Sequence, residues 1–154
     1  MARIKINLPE NFTFSTSIQV RITDINYGGH VGNDAILSLI HEARMQFLKQ
    51  LGYSELEFGG VGLIMADAGI EFKNELFYGD IVLVSVACAE FSKISFDIYY
   101  KLEKFPGQIQ DEKRIVVAVA KTGMVCYDYL NKRIAAMPEE AVRNLKYATG
   151  ITGL

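Results

Sequence analysis

The sequence has little cysteine and no long apolar run, and each shortage excludes a class of protein. Its two cysteines, Cys88 and Cys126, lie far apart inside apolar stretches, with no Cys-x-x-Cys pair and no zinc-ligand spacing. We therefore expect both to pack as small core residues and expect no metal site. No stretch approaches the roughly 20 apolar residues that a helix needs to cross a bilayer. The N-terminal residues lack the apolar core of a signal peptide, so we expect a reduced, cytoplasmic protein.

Excess basic charge is also missing. The 16 lysines and arginines are outnumbered by 18 aspartates and glutamates, which gives a formal net charge of −2 at pH 7. Proteins that bind nucleic acids generally present a positively charged face. We therefore expect no nucleic-acid partner, and the absence of an apolar span argues against a membrane partner.

Alternating and helical spacings of apolar residues predict the elements. Residues 12–22 alternate and predict a first strand. Apolar residues then recur at helical spacing over 33–51, with Asn33 expected as the N-cap and Gly52 as the stop. A loop is expected at 52–62. The later elements are predicted to be strands at 63–74, 81–88, 94–102 and 114–129, a polar turn at 105–113, and a short helix opened by Pro138.

This order of elements predicts an α+β fold. The short links among the later strands predict antiparallel pairing. One long helix with an apolar stripe needs a face to cover, and a sheet of about five curved strands supplies it. We therefore expect an antiparallel sheet wrapped around one long central helix, forming a single domain over residues 1–154.

Polar residues concentrate between the first strand and the helix. The segment 23–34 contains Asp24, Asn26, His30 and three glycines. Backbone N–H groups at a helix start have no partner inside the helix and attract the negative charge that develops in a reaction. We therefore interpret this segment as an active-site loop and the helix as its support.

The same segment carries a resemblance to a known family. It reads Asp24-x-Asn26-x-x-Gly29-His30-Val31-x-Asn33 and is followed on the helix by Glu42-Ala43-Arg44. This motif resembles the acyl-CoA thioesterases of the hotdog fold, of the 4-hydroxybenzoyl-CoA thioesterase type. The strand at Glu71-Phe72 that leads to Tyr78-Gly79-Asp80 fits the family pattern as well. The resemblance implies an acyl-CoA substrate, homodimers with a sheet continuous across the pair, often homotetramers, and active sites at the dimer interface. We expect no cofactor.

The chain departs from the family pattern at the loop. Many relatives carry the catalytic Asp three residues before the glycine that matches Gly29, where this chain has Asn26. An amide is not basic at neutral pH, so we expect Asn26 to orient a water or the substrate carbonyl rather than act as nucleophile or base. Relatives often have Asn-Asn after His-Val and an aromatic residue on the first helical turn. Here these positions hold Gly32-Asn33 and Ile36.

Two other carboxylates are candidates for the base. We favour Asp24, two residues upstream of the usual position, and place Glu42 second because hotdog enzymes of another branch use a carboxylate on the helix. Each also has a purely structural interpretation. Asp24 caps the turn that follows the strand, and Glu42 pairs with Arg44 or Gln46 or is solvated.

The remaining residues of the motif are expected to bind substrate. Backbone N–H groups around Val31 and Gly32 are expected to hold the oxyanion, with Gly29 and Asn33 completing the contact surface. His30 either contacts the thioester oxygen or positions water, or it fixes the loop through a backbone hydrogen bond. A further set of apolar residues is assigned either to the acyl pocket or to the core: Ile36, Ile64, Met65 and Phe77.

Three functions compete on this sequence. An acyl-CoA thioesterase leads, and a non-catalytic acyl-CoA-binding hotdog protein is supported by Asn26. An enoyl-CoA hydratase of the same fold typically shows Asp-x-Asn-Pro-x-His with a further acid two residues on. Here the spacing from Asp24 to His30 is one residue longer, Tyr27 replaces the proline, and Gly32 replaces the acid. Release of thiol from acyl-CoA would select the thioesterase.

Overall fold

The computed structural model describes residues 2–106 and 113–151, so the turn predicted at 105–113 falls largely outside the described residues. Within these ranges the chain forms two α-helices, one 3-10 turn and six strands of a single sheet. In chain order they are β1 (Phe14–Gln19), the 3-10 turn (Ile22–Asp24), α1 (Asn33–Gln50), β2 (Gly62–Phe72), β3 (Ile81–Ala89), β4 (Ser95–Lys104), β5 (Ile115–Asp128), β6 (Arg133–Ile134) and α2 (Glu139–Ala148).

The sheet is antiparallel throughout and runs in the order β1-β3-β4-β5-β2, with β6 added to β5. The three middle strands form a meander, whereas the outer strands β1 and β2 come from either side of α1 in the sequence. Because β1 pairs with β3 and β2 pairs with β5, the chain encloses α1 as it builds the sheet. The α+β arrangement predicted from the sequence is confirmed.

The apolar stripe of α1 provides the centre of the core. Leu39, Ile40, Ala43 and Phe47 are each at most 1% exposed and belong to one cluster with the inward-facing sheet residues. The helix ends at Gln50, two residues before the predicted stop at Gly52. Its N-cap is Gly32 rather than the expected Asn33, because Gly32 is still extended at ψ 160° and Asn33 is already helical.

A buried polar cluster, which we call the Arg44 network, joins α1 to the sheet. Arg44 Nε donates to Glu55 Oε1 at 2.6 Å, and a guanidinium NH donates to the Tyr100 hydroxyl at 3.2 Å. The hydroxyls of Tyr100 and Thr122 share a further hydrogen bond of 2.8 Å. Burial raises the pKa of Tyr100, and the neighbouring guanidinium only partly opposes this. Burial by itself would lower the pKa of Arg44, but its contacts with Tyr100 and Glu55 outweigh that effect and raise it.

The structure corrects the predicted elements at both ends of the sheet. The first strand stops at Gln19 instead of residue 22, and Ile22 is 68% exposed because the chain there turns into the 3-10 turn. The two-residue strand β6 was not predicted. The helix opened by Pro138 is confirmed as α2.

Cys88 and Cys126 are buried as expected, and burial raises the pKa of Cys126 to about 11. Neither helix in the described ranges is long and apolar enough to cross a membrane.

Candidate active site

The loop before α1 is closed by its own backbone. Asn26 N–H donates to the His30 carbonyl at 2.9 Å, and Gly29 N–H donates to the Asn26 carbonyl at 3.1 Å. The Asn26 side-chain oxygen also accepts the Gly28 N–H at 2.8 Å. Gly29 has φ +82°, a conformation that glycine adopts without strain. Asn26 therefore shapes the loop, whatever else it does.

This loop forms one wall of a cavity of about 210 Å³, which we call the His30 cavity. The other walls come from the first turn of α1, the end of β2 with the segment that follows it, and β5. Its apolar lining consists of Val31, Ile36, Phe72, Leu76 and Val117. Its polar lining consists of His30, Asn33, Lys73, Asn74 and Glu75. The cavity therefore combines an apolar surface with a few convergent polar groups, as small-molecule sites do.

His30 lies half-buried at the edge of this cavity and has two polar neighbours. Its Nδ1 is 3.2 Å from the Val31 carbonyl oxygen, which accepts a hydrogen bond when Nδ1 carries the proton. Its Nε2 is 4.0 Å from Glu75 Oε1. The backbone contact expected for a loop-fixing histidine is present, and the second ring nitrogen lies nearest to Glu75, which also lines the cavity.

The start of α1 offers N–H groups, although they are not the expected ones. The Val31 N–H donates to the Leu76 carbonyl at 2.9 Å, and the Gly32 N–H donates to the Asp24 carbonyl at 3.3 Å. Both are therefore used by the fold, which corrects the prediction that they hold the oxyanion. The N–H groups of residues 33–35 lie in the first helical turn and have no carbonyl one turn earlier in the helix. Of these residues, Asn33 lines the His30 cavity.

Gly32 allows a close approach at the helix start. A Cβ at this position would lie 2.6 Å from Asp34 Oδ1, closer than real contacts allow. Glycine therefore lets the Asp34 carboxylate reach back over the first turn, where the positive end of the helix dipole favours it.

Asp24 is buried at the base of the loop and is 6% exposed. Its Oδ2 accepts the Arg21 backbone N–H at 2.8 Å, and the Arg21 guanidinium lies 3.4 Å from Oδ1. Asp24 does not line the His30 cavity. The geometry thus matches the structural interpretation, a cap on the 3-10 turn, and its assignment as the base stays a prediction.

Glu42 faces a different groove. Its Oε1 accepts a hydrogen bond of 2.9 Å from Gln46, one of the two partners expected of a structural Glu42. The groove has a volume of about 470 Å³ and lies between α1 and β1, with His41 and Arg21 in its lining. Arg44, the other expected partner, points into the core instead.

The structure therefore brings together only part of the predicted site. His30, Val31, Asn33 and Ile36 line one cavity, whereas Ile64, Met65 and Phe77 do not contribute to it. Among the described residues, no three His, Cys, Asp or Glu side chains lie close enough to hold a metal ion.

Glu75 is the principal residue that sequence reasoning missed. It follows a predicted strand in a segment without a local motif. Its proximity to His30 depends on how the sheet folds the chain, because 45 residues separate the two positions in the sequence.

Comparison with known proteins shows the family to which the chain belongs. A family model described as the thioesterase-like superfamily matches residues 20–145. A protein from Aquifex aeolicus named a putative esterase is 28% identical over 137 residues, which cover 88% of this chain and 98% of that one. A 1,4-dihydroxy-2-naphthoyl-CoA hydrolase from Nostoc punctiforme is 26% identical over 139 residues, covering 88% of this chain and 87% of that one.

A solved structure agrees with these relatives. The crystal structure of a 1,4-dihydroxy-2-naphthoyl-CoA thioesterase from Synechocystis superposes with a TM-score of 0.74 at 24% identity. The superposition covers 86% of this chain and 94% of that one. The architecture expected from the sequence and the matched family agree. The chain has the hotdog fold and belongs to the thioesterase-like superfamily.

Proposed function

We propose that the protein is an acyl-CoA thioesterase, which hydrolyses an acyl-CoA to the free acid and CoA. The observation that carries this proposal is the His30 cavity, in which an imidazole, a carboxylate and the first turn of a helix face an apolar wall. Hydrolysis needs these parts: a group that activates water, donors for the oxyanion, and a surface for the acyl chain. Membership of the thioesterase-like superfamily makes hydrolysis of a thioester the expected use of such a site.

The helix start supplies the oxyanion donors in this proposal. Water attacks the thioester carbonyl, and negative charge develops on the carbonyl oxygen. The N–H groups of the first helical turn, of which that of Asn33 lies beside the cavity, and the helix dipole stabilise that charge. The carbon–sulfur bond then breaks, and CoA leaves as the thiol. Loss of one oxyanion donor typically lowers kcat by about 10²–10³-fold.

The apolar wall suits the acyl part of the substrate. Ile36, Phe72 and Val117 form a surface on which an aromatic or aliphatic acyl group packs. Two relatives are named as enzymes acting on 1,4-dihydroxy-2-naphthoyl-CoA. An aromatic acyl-CoA is therefore the first substrate class to test.

We also propose a homodimer with a sheet continuous across the pair, as the family resemblance implies, and a homotetramer as its further assembly. We place the dimer contact at β2. This strand lies at an edge of the sheet and pairs on one side with β5. Met65 and Phe72 are about half exposed along it, at 48% and 54%. A long edge strand presents backbone N–H and C=O groups that can pair with a strand of another chain. Since Phe72 also lines the His30 cavity, pairing at this edge would place the site beside the interface.

The test is thiol release from a panel of acyl-CoAs. The panel contains short, medium and long aliphatic chains, benzoyl-CoA and 1,4-dihydroxy-2-naphthoyl-CoA. The Asp24→Asn and Glu42→Gln variants are measured beside the wild type, because these carboxylates remain predicted bases. We expect thiol release by the wild type above the buffer rate, and a panel without it would contradict the proposed activity.

Asn26 favours a second candidate function, a non-catalytic acyl-CoA-binding protein. An amide stands where many relatives carry the catalytic Asp, and its oxygen is engaged by the Gly28 N–H. Tight binding of an acyl-CoA without thiol release would select this function. Calorimetry with the same panel distinguishes the two.

A further inference from the structure

We infer that Glu75 is the catalytic carboxylate of the His30 cavity and acts with His30 on the attacking water. This inference rests on the proposed thioesterase activity and assigns the base that Asn26 cannot be. Among the described residues that line the cavity, Glu75 is the carboxylate. Asp24 is buried against Arg21, and Glu42 faces the groove beside β1.

The distance between Glu75 and His30 fits a shared water. Glu75 Oε1 and His30 Nε2 are 4.0 Å apart, too far for a direct hydrogen bond and close enough for one water to contact both. When Nδ1–H donates to the Val31 carbonyl, Nε2 is an acceptor, and an ionised carboxylate is also an acceptor. The molecule that satisfies both must donate twice, as water does. Its oxygen lone pairs are then free to face a substrate carbonyl.

The fold holds the backbone around Glu75 in place. Lys73 N–H and Asn74 N–H both donate to the Val117 carbonyl, at 2.8 and 3.1 Å. The Leu76 carbonyl accepts the Val31 N–H from the His30 loop at 2.9 Å. The Lys104 ammonium donates to the carbonyl of Glu75 itself at 2.6 Å. The backbone of Glu75 is thus fixed to β5, to β4 and to the loop, and its side chain, 62% exposed, reaches the cavity from this anchored position.

The chemistry balances with water as the only co-reactant. Glu75 takes one proton from the water while the water oxygen bonds to the thioester carbon. The carbonyl π electrons move to oxygen as the tetrahedral intermediate forms. They return as the carbon–sulfur bond breaks, and the thiolate recovers the proton held at Glu75. His30 Nε2 accepts the second water hydrogen as a hydrogen bond and orients the attack.

The test compares kcat and KM of the wild type with those of Glu75→Gln on the best substrate of the panel. We expect kcat to fall about 10²–10⁴-fold, the usual contribution of a general base, with KM little changed. Glu10→Gln, at an exposed position outside the site, is the matched control and should keep the wild-type kcat. Thermal unfolding and size-exclusion chromatography verify that each variant folds and assembles as the wild type does.

Chemical rescue supplies a second measurement. Glu75→Ala leaves space for a small carboxylate, so added formate should raise its kcat in a concentration-dependent way. Formate should not change the wild-type rate.

The outcomes separate this inference from the proposed function. A wild type that hydrolyses acyl-CoA while Glu75→Gln keeps its kcat, or changes only in KM, would overturn the role of Glu75 alone. A wild type without thiol release would overturn the thioesterase proposal, and the inference with it.

Discussion

Two polar clusters contact α1. They differ in how many of their donors and acceptors already have a hydrogen-bond partner. In the Arg44 network, Arg44 reaches both Glu55 and Tyr100, and Tyr100 also bonds Thr122. In the His30 cavity, the facing atoms of His30 and Glu75 stand 4.0 Å apart beside open space. No buried side-chain nitrogen or oxygen in the described part of the chain lacks a partner. The open groups are therefore those that solvent or substrate can reach.

Polar groups without a fixed partner mark where chemistry can occur in this fold. A buried network whose members are all paired fixes structure and has no free donor or acceptor for a ligand. A site needs the opposite, namely groups held in position by the backbone but not yet hydrogen-bonded to one another. On this criterion Arg44, although it belongs to the family motif, supports the structure, whereas His30 and Glu75 are the groups that we propose act on substrate.

The largest expected effect is on stability, from Arg44→Ala. Removing the guanidinium takes a hydrogen bond from both Glu55 and Tyr100. Because the Glu55 side chain is 24% exposed and keeps His41 at 3.3 Å, the free energy of unfolding should fall by about 3 kcal/mol, the lower end of the range for a fully buried pair. Urea denaturation measures this loss. The kcat of the protein that remains folded should stay near that of the wild type. The Arg44→Met, Glu55→Gln double variant should recover part of the loss, because neither charge is then left alone. A loss below about 1 kcal/mol would show that the pair behaves as an exposed one.

A smaller effect, on activity alone, is expected from His30→Gln. Losing the imidazole that orients the water should lower kcat about 10²-fold, within the range for acid–base groups. The free energy of unfolding should change by no more than about 1 kcal/mol, the usual net contribution of one hydrogen bond such as that from His30 Nδ1 to the Val31 carbonyl. His41→Gln is the matched control, because His41 pairs with Glu55 outside the His30 cavity. Equal losses of kcat in both variants would remove the distinction between the two clusters.

The smallest effect concerns a third cluster, which is paired and partly exposed. Lys121 lies 2.9 Å from Asp67 and 3.4 Å from Asp97 on the sheet surface. The hydrogen bond from Lys121 holds the pKa of Asp67 below its usual range. The stabilisation by Asp67 is therefore present at neutral pH and is lost as the pH falls through that lowered pKa. The difference in melting temperature between the wild type and Asp67→Asn should be small at neutral pH and shrink on acidification.

Asp97→Asn is the control for this pH dependence. Burial raises the pKa of Asp97, and Lys121 only partly opposes it. Its carboxyl group therefore favours folding at low pH and loses that contribution as the pH rises. The difference between the wild type and Asp97→Asn should change with pH in the opposite direction. Parallel profiles for the two variants would contradict the assigned pKa shifts.

Much of the fold could be predicted because its signals are local. The 3.6-residue spacing in α1 and the alternation in β4 depend on neighbouring residues, and both elements lie within two residues of their predicted bounds. The failures are also local in origin. Ile22 continues the alternation of β1 by sequence, but Asp24 caps a turn there and takes the chain out of the sheet. Arg133–Ile134 is too short to show any period.

The site was less predictable because its residues are distant in the sequence and are brought together by the pairing of strands. The motif around His30 identified one wall of the cavity, but Glu75 and Val117 reach it only through the pairing of β2 with β5. The hydrogen bond that the Val31 N–H donates also depends on that pairing, because its acceptor is the carbonyl of Leu76, in the segment that follows β2. A sequence pattern shows which groups are chemically able to act. The register of distant strands decides which of them meet.

The strand order has a kinetic consequence. β3, β4 and β5 follow one another along the chain, whereas β1 and β2 pair across long separations, as in Phe14 with Val86 and Phe72 with Ala118. Closing long loops costs entropy, so the meander should form before the outer strands dock. In pulse-labelled hydrogen exchange during refolding, we expect amides of β4 to be protected earlier than those of β2, and the reverse order would contradict this. The His30 cavity, which takes a wall from β2, would then be among the last parts of the molecule to assemble, so that binding of the proposed acyl-CoA substrate would report completed folding.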